Sequence, residues 1–138
     1  MDLLLKIFIL MCTVLLTSLT YADTLKPFTS DGCSAFPDGT LSHNTLWLSC
    51  CEKHDFDYWK GGSYLERLTS DNELQVCVAK VGEPEIAALM LAGVRVGGAP
   101  YFPTSFRWGY GWSYPKLYGK LNKEEQLQVS LLVPKKFK

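Results

Sequence analysis

The sequence predicts a small, mainly α-helical domain that is held together by disulfide bonds. Three observations support this prediction: an apolar N-terminal segment typical of exported proteins, an even number of cysteines after it, and two helical patterns separated by a pair of glycines. Small exported domains commonly depend on disulfides because their hydrophobic cores are limited.

Residues 1–22 have the pattern of a secretory signal peptide. Lys6 precedes an apolar run over residues 7–19, and Ala22 puts a small residue at the expected cleavage site. The run is short for a membrane span, which needs ~20 residues, although an uncleaved anchor is the alternative. We therefore expect a secreted or periplasmic protein whose single domain occupies residues 23–138.

The charged residues exclude some classes of partner. The chain has 14 basic and 14 acidic residues, so its formal net charge is zero. No basic stripe in the sequence indicates nucleic-acid binding, and its charge balance gives no strong attraction to an anionic surface. We expect no nucleic-acid partner.

The cysteines after the signal peptide are predicted to form two disulfides. A bridge between adjacent Cys50 and Cys51 would be strained, which leaves two pairings open. A zinc site that uses these thiols with His43 or His54 is the competing interpretation, but the spacing contains no Cys-x-x-Cys motif. The four residues are Cys33, Cys50, Cys51 and Cys77.

Two antiparallel helices are predicted at the centre of the domain. The first should begin near Asn44 or Thr45, either of which is a suitable N-cap, and end at Lys60 before two glycines. Ser63 and Glu66 then form a capping box for a second helix that stops before Pro84. The short connection makes the two helices neighbours.

The remaining chain is predicted to contain two further helices around an irregular segment. Small and apolar residues indicate a helix over residues 86–94, closing at two glycines, and Asn122 with Glu125 forms a capping box for a last helix to Val133. Residues 99–119 are rich in aromatic residues, proline and glycine. They are interpreted as a loop pinned to the core by its rings, or alternatively as a surface in which Trp108 and Trp112 enter a lipid interface.

The first helix carries the candidate catalytic residues. Helical spacing puts Cys50 or Cys51, His54 and Tyr58 on one face, with Asp55 on the adjoining edge. If Cys50 bridges Cys77, then His54 lies ~6 Å along the first helix and Asp71 lies ~9 Å along the second, in the same direction. A histidine oriented by a carboxylate can act as a general base, although Asp71 can equally be a solvated helix residue.

These residues resemble the catalytic core of the secreted phospholipase A2 family. The match consists of Cys50-Cys51-Glu52-Lys53-His54-Asp55-Phe56-Asp57-Tyr58 and of Asp71 placed six residues before Cys77. The resemblance implies that His54 activates water, Asp55 binds calcium, Asp71 orients His54 and Tyr58 hydrogen-bonds to Asp71. It also implies disulfides Cys33–Cys51 and Cys50–Cys77, and a fold with two catalytic helices and a calcium loop.

The loop before the double cysteine departs from the family pattern. Animal and venom members have a glycine-rich loop there, whereas residues 30–38 of this chain resemble the shorter bacterial and fungal members. On that resemblance Asp31 and the Gly32 carbonyl complete the calcium site with Asp55, and a backbone N–H near Gly32 serves the oxyanion. Extracellular calcium modules bind at ~10⁻⁴–10⁻³ M, so we expect weak binding.

The function that the resemblance implies is calcium-dependent hydrolysis of the sn-2 ester of glycerophospholipids. The substrate would be met at a membrane or micelle interface, and we expect a monomer. The alternatives are a catalytically silent lipid-binding module and a calcium-stabilised structural domain on the same scaffold.

Overall fold

A computed structural model describes residues 23–138; the predicted signal peptide over residues 1–22 lies outside the described residues. This part of the chain is mainly helical and has no β-strand. Its helices are α1 (Leu48–Lys60), α2 (Tyr64–Lys80), α3 (Pro84–Gly97) and α4 (Lys123–Leu132), followed by a short 3₁₀ helix (Lys135–Phe137). None of the helices in residues 23–138 has the length and apolarity needed to span a bilayer.

The helix α1 begins later than Asn44 or Thr45, so the predicted N-cap is wrong. Its N-cap is Trp47, which makes no side-chain capping hydrogen bond. Trp47 is instead fixed by the preceding loop, because its indole N–H donates to the carbonyl of Pro37 at 2.7 Å and its backbone N–H donates to the carbonyl of Asp38 at 3.1 Å. A buried aromatic anchor thus sets the start of α1 in place of a polar cap.

The two predicted capping boxes are confirmed. The Ser63 side chain accepts from the backbone N–H of Glu66 at the start of α2, and the Glu66 side chain accepts in return from the Ser63 N–H. Asn122 and Glu125 make the same reciprocal pair at the start of α4. Both motifs satisfy backbone donors that a helix start leaves without partners.

Two disulfides connect α1 to its neighbours. Cys33–Cys51 ties the preceding loop to α1, and Cys50–Cys77 ties α1 to α2. This is the pairing that the phospholipase A2 resemblance implies. Since all four thiols are consumed, the alternative of a cysteine-ligated zinc site is wrong.

The core consists of two clusters on either side of α1. One is formed between α1, α2 and α3 and contains both α1 cysteines with Trp47, Leu74, Val78, Ala87 and Met90. The other gathers Leu25, Trp59 and Trp112, with Phe28, Phe56, Tyr110, Leu121 and Val129 packed against them. The helix that carries His54 is therefore held on two sides.

The aromatic segment over residues 99–119 has no regular secondary structure, as predicted, and it caps the C-terminal end of α1. Trp108 and Trp112 are each only 1% exposed. Their indole N–H groups donate to the carbonyls of Gly62 and Lys60, both at 2.8 Å. The interpretation of these two tryptophans as lipid-interface anchors is wrong, because both rings are buried and their indole N–H groups donate to backbone carbonyls at the end of α1 and just after it.

Candidate active site

His54, Tyr58 and Asp71 meet between α1 and α2. His54 Nε2 lies 2.9 Å from Asp71 Oδ1, and the Tyr58 hydroxyl donates to the same oxygen at 2.7 Å. Asp71 is fully buried and His54 is 7% exposed. The Cys50–Cys77 bridge fixes the two helices at the register that brings these side chains together. Asp71 is accordingly a buried partner of His54 and not a solvated helix residue.

Tyr58 is held as a neutral hydrogen-bond donor. Burial and the neighbouring Asp71 charge raise the pKa of its hydroxyl far above the ordinary value, although Arg67 acts in the opposite direction. The Tyr58 ring also lies against the imidazole of His54, with ring centroids 4.2 Å apart. Tyr58 therefore contacts both members of the His54–Asp71 pair.

Two arginines that the sequence analysis did not single out complete this cluster. Arg67 precedes Asp71 by one helical turn on α2 and donates to the Tyr58 hydroxyl at 3.0 Å. Arg95 comes from α3, and its Nε lies 2.9 Å from Asp71 Oδ2. The i, i+4 spacing of Arg67 and Asp71 is a signal that sequence inspection can find. No local pattern points from Arg95 to Asp71.

Asp55 lies on the adjoining edge of α1, where the loop before the helix covers it. The Ser30 hydroxyl donates to its Oδ2 at 2.6 Å. Burial raises the pKa of the Asp55 carboxyl from 3.8 to about 7, against the lowering effect of Ser30, and the negative charge of Asp31 adds to the increase. Within residues 23–138 Asp55 has no basic partner in an ion pair.

The residues around Asp55 suit a calcium ion in part. A buried carboxyl group with a raised pKa and an adjacent acidic residue would be stabilised by a cation. However, no group of three or more His, Cys, Asp or Glu side chains converges on one point in residues 23–138. Asp31 is exposed, and its carboxylate accepts from the Ser34 hydroxyl. A calcium ion at this position would thus be bound by Asp55, Asp31, the Gly32 carbonyl and water molecules.

The loop that was expected to supply an oxyanion donor uses its amides internally. The Gly32 N–H donates to the Ser30 hydroxyl at 3.1 Å, and the Cys33 N–H donates to Asp38 Oδ1 at 2.8 Å. Gly32 has a left-handed φ of 75°, and a Cβ there would lie 2.4 Å from the Asp38 carboxylate. The Gly32 N–H is therefore not free to bind an oxyanion in this conformation.

A cavity of about 460 Å³ opens beside His54 and Asp55. Its wall is largely apolar and comes from α3, the loop before α1 and Phe106. The lining from α3 is Leu89, Met90, Gly93, Val94 and Gly97. Because His54 Nε2 faces Asp71, the second ring nitrogen, Nδ1, is the one left for a molecule in the cavity.

Comparison of the chain with protein-family models, with curated proteins and with solved structures gives no match.

Proposed function

We propose that this chain is a calcium-dependent, phospholipase A2-like hydrolase that cleaves the sn-2 ester of glycerophospholipids. The observation that carries the proposal is a histidine held by a buried carboxylate at the wall of an apolar cavity. Such a histidine suits general-base chemistry, and an apolar cavity suits a fatty acyl chain. The mainly helical architecture and the two disulfides agree with a phospholipase A2-like fold, which is part of the same proposal.

In the proposed reaction His54 Nδ1 takes a proton from a water molecule, whose oxygen attacks the sn-2 carbonyl carbon. Asp71 stabilises the imidazolium that forms, and Tyr58 keeps Asp71 in place. The tetrahedral intermediate then expels the glycerol oxygen, which recovers the proton from His54. The products are a free fatty acid and a lysophospholipid.

General-base help is worth ~10²–10⁴ in rate, so the oxyanion also needs stabilisation. Calcium, when bound, would supply positive charge beside that oxyanion. Asp55 would be its principal ligand, with Asp31 and the Gly32 carbonyl. The Ser30 hydroxyl donates to Asp55 Oδ2 and so restrains this carboxylate.

The proposal is tested by measuring release of sn-2-labelled fatty acid from phospholipid, with calcium and with a chelator. The chain has two histidines, which provide a matched pair of variants. His54→Gln should lower the rate by at least ~10²-fold, because it removes the base. His43→Gln should release fatty acid at the wild-type rate, since His43 is exposed in the turn before α1.

Calcium binding separates the two roles. Asp55→Asn should weaken calcium affinity and hydrolysis together, whereas His54→Gln should keep the calcium affinity. Glu85→Gln is the control, because Glu85 is an exposed acidic residue on α3. Full activity in His54→Gln would contradict the mechanism. Lipid binding without fatty-acid release would indicate the silent module, and calcium-dependent stability without lipid binding would indicate the structural domain.

A further inference from the structure

The carboxylate of Asp71 has partners on both of its oxygens. Oδ1 faces His54 and Tyr58, as described above. Oδ2 lies 2.9 Å from Arg95 Nε and 3.9 Å from Arg67 Nε. Oδ1 of Asp71 therefore contacts a hydroxyl and an imidazole, and Oδ2 faces two guanidinium groups.

The two arginines do different things. Arg67 is 4% exposed, and its Nη atoms donate to the Tyr118 hydroxyl at 2.6 Å and to the carbonyls of Val94 and Arg95 at 2.7 and 3.0 Å. Its Nε donates to Tyr58. Arg67 is therefore committed to joining α2, the end of α3 and the aromatic segment, and its charge is farther from Asp71.

Arg95 is the closer cation and has fewer structural contacts. Its N–H is not aligned with Asp71 Oδ2, so the 2.9 Å contact is an ion pair and not a hydrogen bond. Its Nη2 donates to the Leu68 carbonyl at 3.2 Å and to Asn72 Oδ1 at 2.9 Å, both on the turn of α2 around Asp71. The Arg95 side chain is 32% exposed, so its replacement need not leave a buried cavity.

We propose that Arg95 is a positioning residue that fixes the Asp71 carboxylate for its contact with His54; this inference rests on the proposed function. A buried carboxylate is costly unless a cation accompanies it, and an adjacent cation favours its charged form. When Asp71 Oδ1 accepts from His54 Nε2–H, Nδ1 is the unprotonated nitrogen of the neutral imidazole. Loss of Arg95 would let the Asp71 carboxylate turn away from His54, and the imidazole would no longer be held in one tautomer.

The first test is steady-state hydrolysis of a short-chain monomeric phospholipid. Arg95→Gln should lower kcat about ten- to a hundredfold, the loss seen for residues that orient metal ligands through a hydrogen bond, with KM nearly unchanged. Arg95→Lys keeps a cation and should retain most of the wild-type kcat. Lys80→Gln, which removes an exposed charge from the end of α2, should have no effect.

A double-variant cycle tests whether Arg95 acts through Asp71. In an Asp71→Asn background the carboxylate is absent, so adding Arg95→Gln should lower kcat no further. Multiplicative losses would mean that Arg95 acts elsewhere and would overturn the inference. So would an Arg95→Lys variant that keeps the wild-type melting temperature and loses as much kcat as Arg95→Gln.

The second test needs no activity. ¹⁵N NMR of the imidazoles above neutral pH gives the tautomer of each histidine, with His43 as the internal reference. Wild-type His54 should carry its proton on Nε2, and Arg95→Gln should show a mixture. This spectrum in a protein that releases no fatty acid would refute the proposed function and leave the positioning role standing.

The opposite combination refutes the inference alone. If the wild-type protein hydrolyses phospholipid and Arg95→Gln keeps both the wild-type kcat and the wild-type His54 tautomer, Arg95 has no positioning role. If Arg95→Gln does not fold, Arg95→Lys decides: a retained tautomer and kcat support the role, and loss of both in a folded protein overturns it.

Discussion

At the scale of single residues, two aspartates on α1 are given opposite properties by their neighbours. Asp55 is buried with no basic partner in the described part of the chain, and its pKa is raised to about 7. Burial opposes ionisation of Asp57 too, but Lys60 and Lys53 more than offset it, so the Asp57 pKa is lowered. Each ammonium lies 2.5 Å from an Asp57 oxygen. Asp57 therefore has a structural role, whereas Asp55 remains available to a ligand.

Asp57→Asn is predicted to destabilise the fold in a pH-dependent way. It should cost about 1–3 kcal/mol at neutral pH, because two charge-assisted hydrogen bonds are lost in a largely buried site. Since the folded pKa lies below the ordinary 3.8, the unfolded chain takes up the proton first as the pH falls. The stabilisation is complete above about pH 5 and is lost as the pH falls through the folded value.

Urea unfolding of both proteins across this pH range measures the effect. The difference between wild type and Asp57→Asn should shrink on acidification. Glu73→Gln is the control, because Glu73 is 58% exposed, lies 3.5 Å from Lys53 and should contribute under about 1 kcal/mol. A difference that stays constant with pH would mean that Asp57 contributes by packing and not by charge.

How far sequence predicts the candidate site depends on whether a local rule connects the residues. The sequence predicts the pairing of His54 with Asp71 because both lie on regular helices. A Cys50–Cys77 bridge, which the structure contains, sets the relative register of those helices. Arg67 lies one turn from Asp71 on the same helix, so the i, i+4 rule also connects these two residues. Arg95 comes from α3, whose position against α2 depends on core packing, and sequence alone does not specify that contact.

At the scale of elements, the C-terminal end of α1 is completed by a distant segment. The last four carbonyls of a helix lack intrahelical partners. Here the Gly61 N–H donates to Asp57 at 3.2 Å, and the N–H groups of Gly109 and Gly111 donate to Tyr58 and Trp59 at 2.7 and 3.1 Å. The Trp112 indole serves the fourth carbonyl. The helix that carries His54 therefore ends in a set of satisfied carbonyls.

Gly111→Ala should disturb this end of α1. A Cβ at residue 111 would lie 2.5–2.6 Å from the Trp59 ring and from the Trp59 carbonyl, so a buried ring or the backbone must move. We expect a loss of roughly 1–3 kcal/mol, as in other overpacked sites. Gly119→Ala is the matched control, because a Cβ there meets nothing within 4 Å.

Thermal unfolding gives the melting temperatures of the two variants for comparison with the wild-type protein. Gly119→Ala should leave the melting temperature unchanged or slightly raised, since alanine restricts the unfolded chain. Equal melting temperatures for Gly111→Ala and wild type would show that the aromatic segment moves freely from α1. That outcome would contradict its role as the cap of α1.

Helix boundaries are predictable from sequence where a local motif defines them. The capping boxes at Ser63 and Asn122 define the starts of α2 and α4 because both partners lie within one turn. The start of α1 was misplaced because Trp47 is held by tertiary hydrogen bonds to residues 37 and 38. The prolines and glycines of the aromatic segment predict its irregular backbone. The burial of its tryptophans depends on the position of α1, which no local motif specifies.

At the scale of the whole molecule, the proposed lipid hydrolase is formally neutral, so it would have to bind the lipid interface through apolar contacts. The formal net charge is zero, so long-range attraction to an anionic bilayer is weak. Two large apolar side chains that line the cavity are also exposed: Leu89 by 59% and Phe106 by 41%. Phe102, in the same aromatic segment as Phe106, is 67% exposed. Exposed apolar residues at a cavity mouth can settle in a membrane interface.

Phe106→Ser is therefore predicted to slow hydrolysis of phospholipid vesicles much more than hydrolysis of a short-chain monomeric ester. The vesicle reaction loses an anchor worth roughly 1–2 kcal/mol, while the reacting groups stay in place. The melting temperature should change little, because Phe106 is partly exposed. Leu131→Ser removes a side chain that is 70% exposed on α4 and does not line the cavity, and it should affect neither reaction.

Trp112→Ala provides the opposite pattern within the same segment. Trp112 is buried, so its truncation should cost roughly 3–5 kcal/mol of stability and reduce both reactions to a similar degree. A vesicle-selective loss in Phe106→Ser, beside a non-selective loss in Trp112→Ala, would place the lipid-facing surface at the cavity mouth. If Phe106→Ser and Leu131→Ser behave alike on vesicles, the cavity mouth does not bind the interface and the substrate must enter by another side of the molecule.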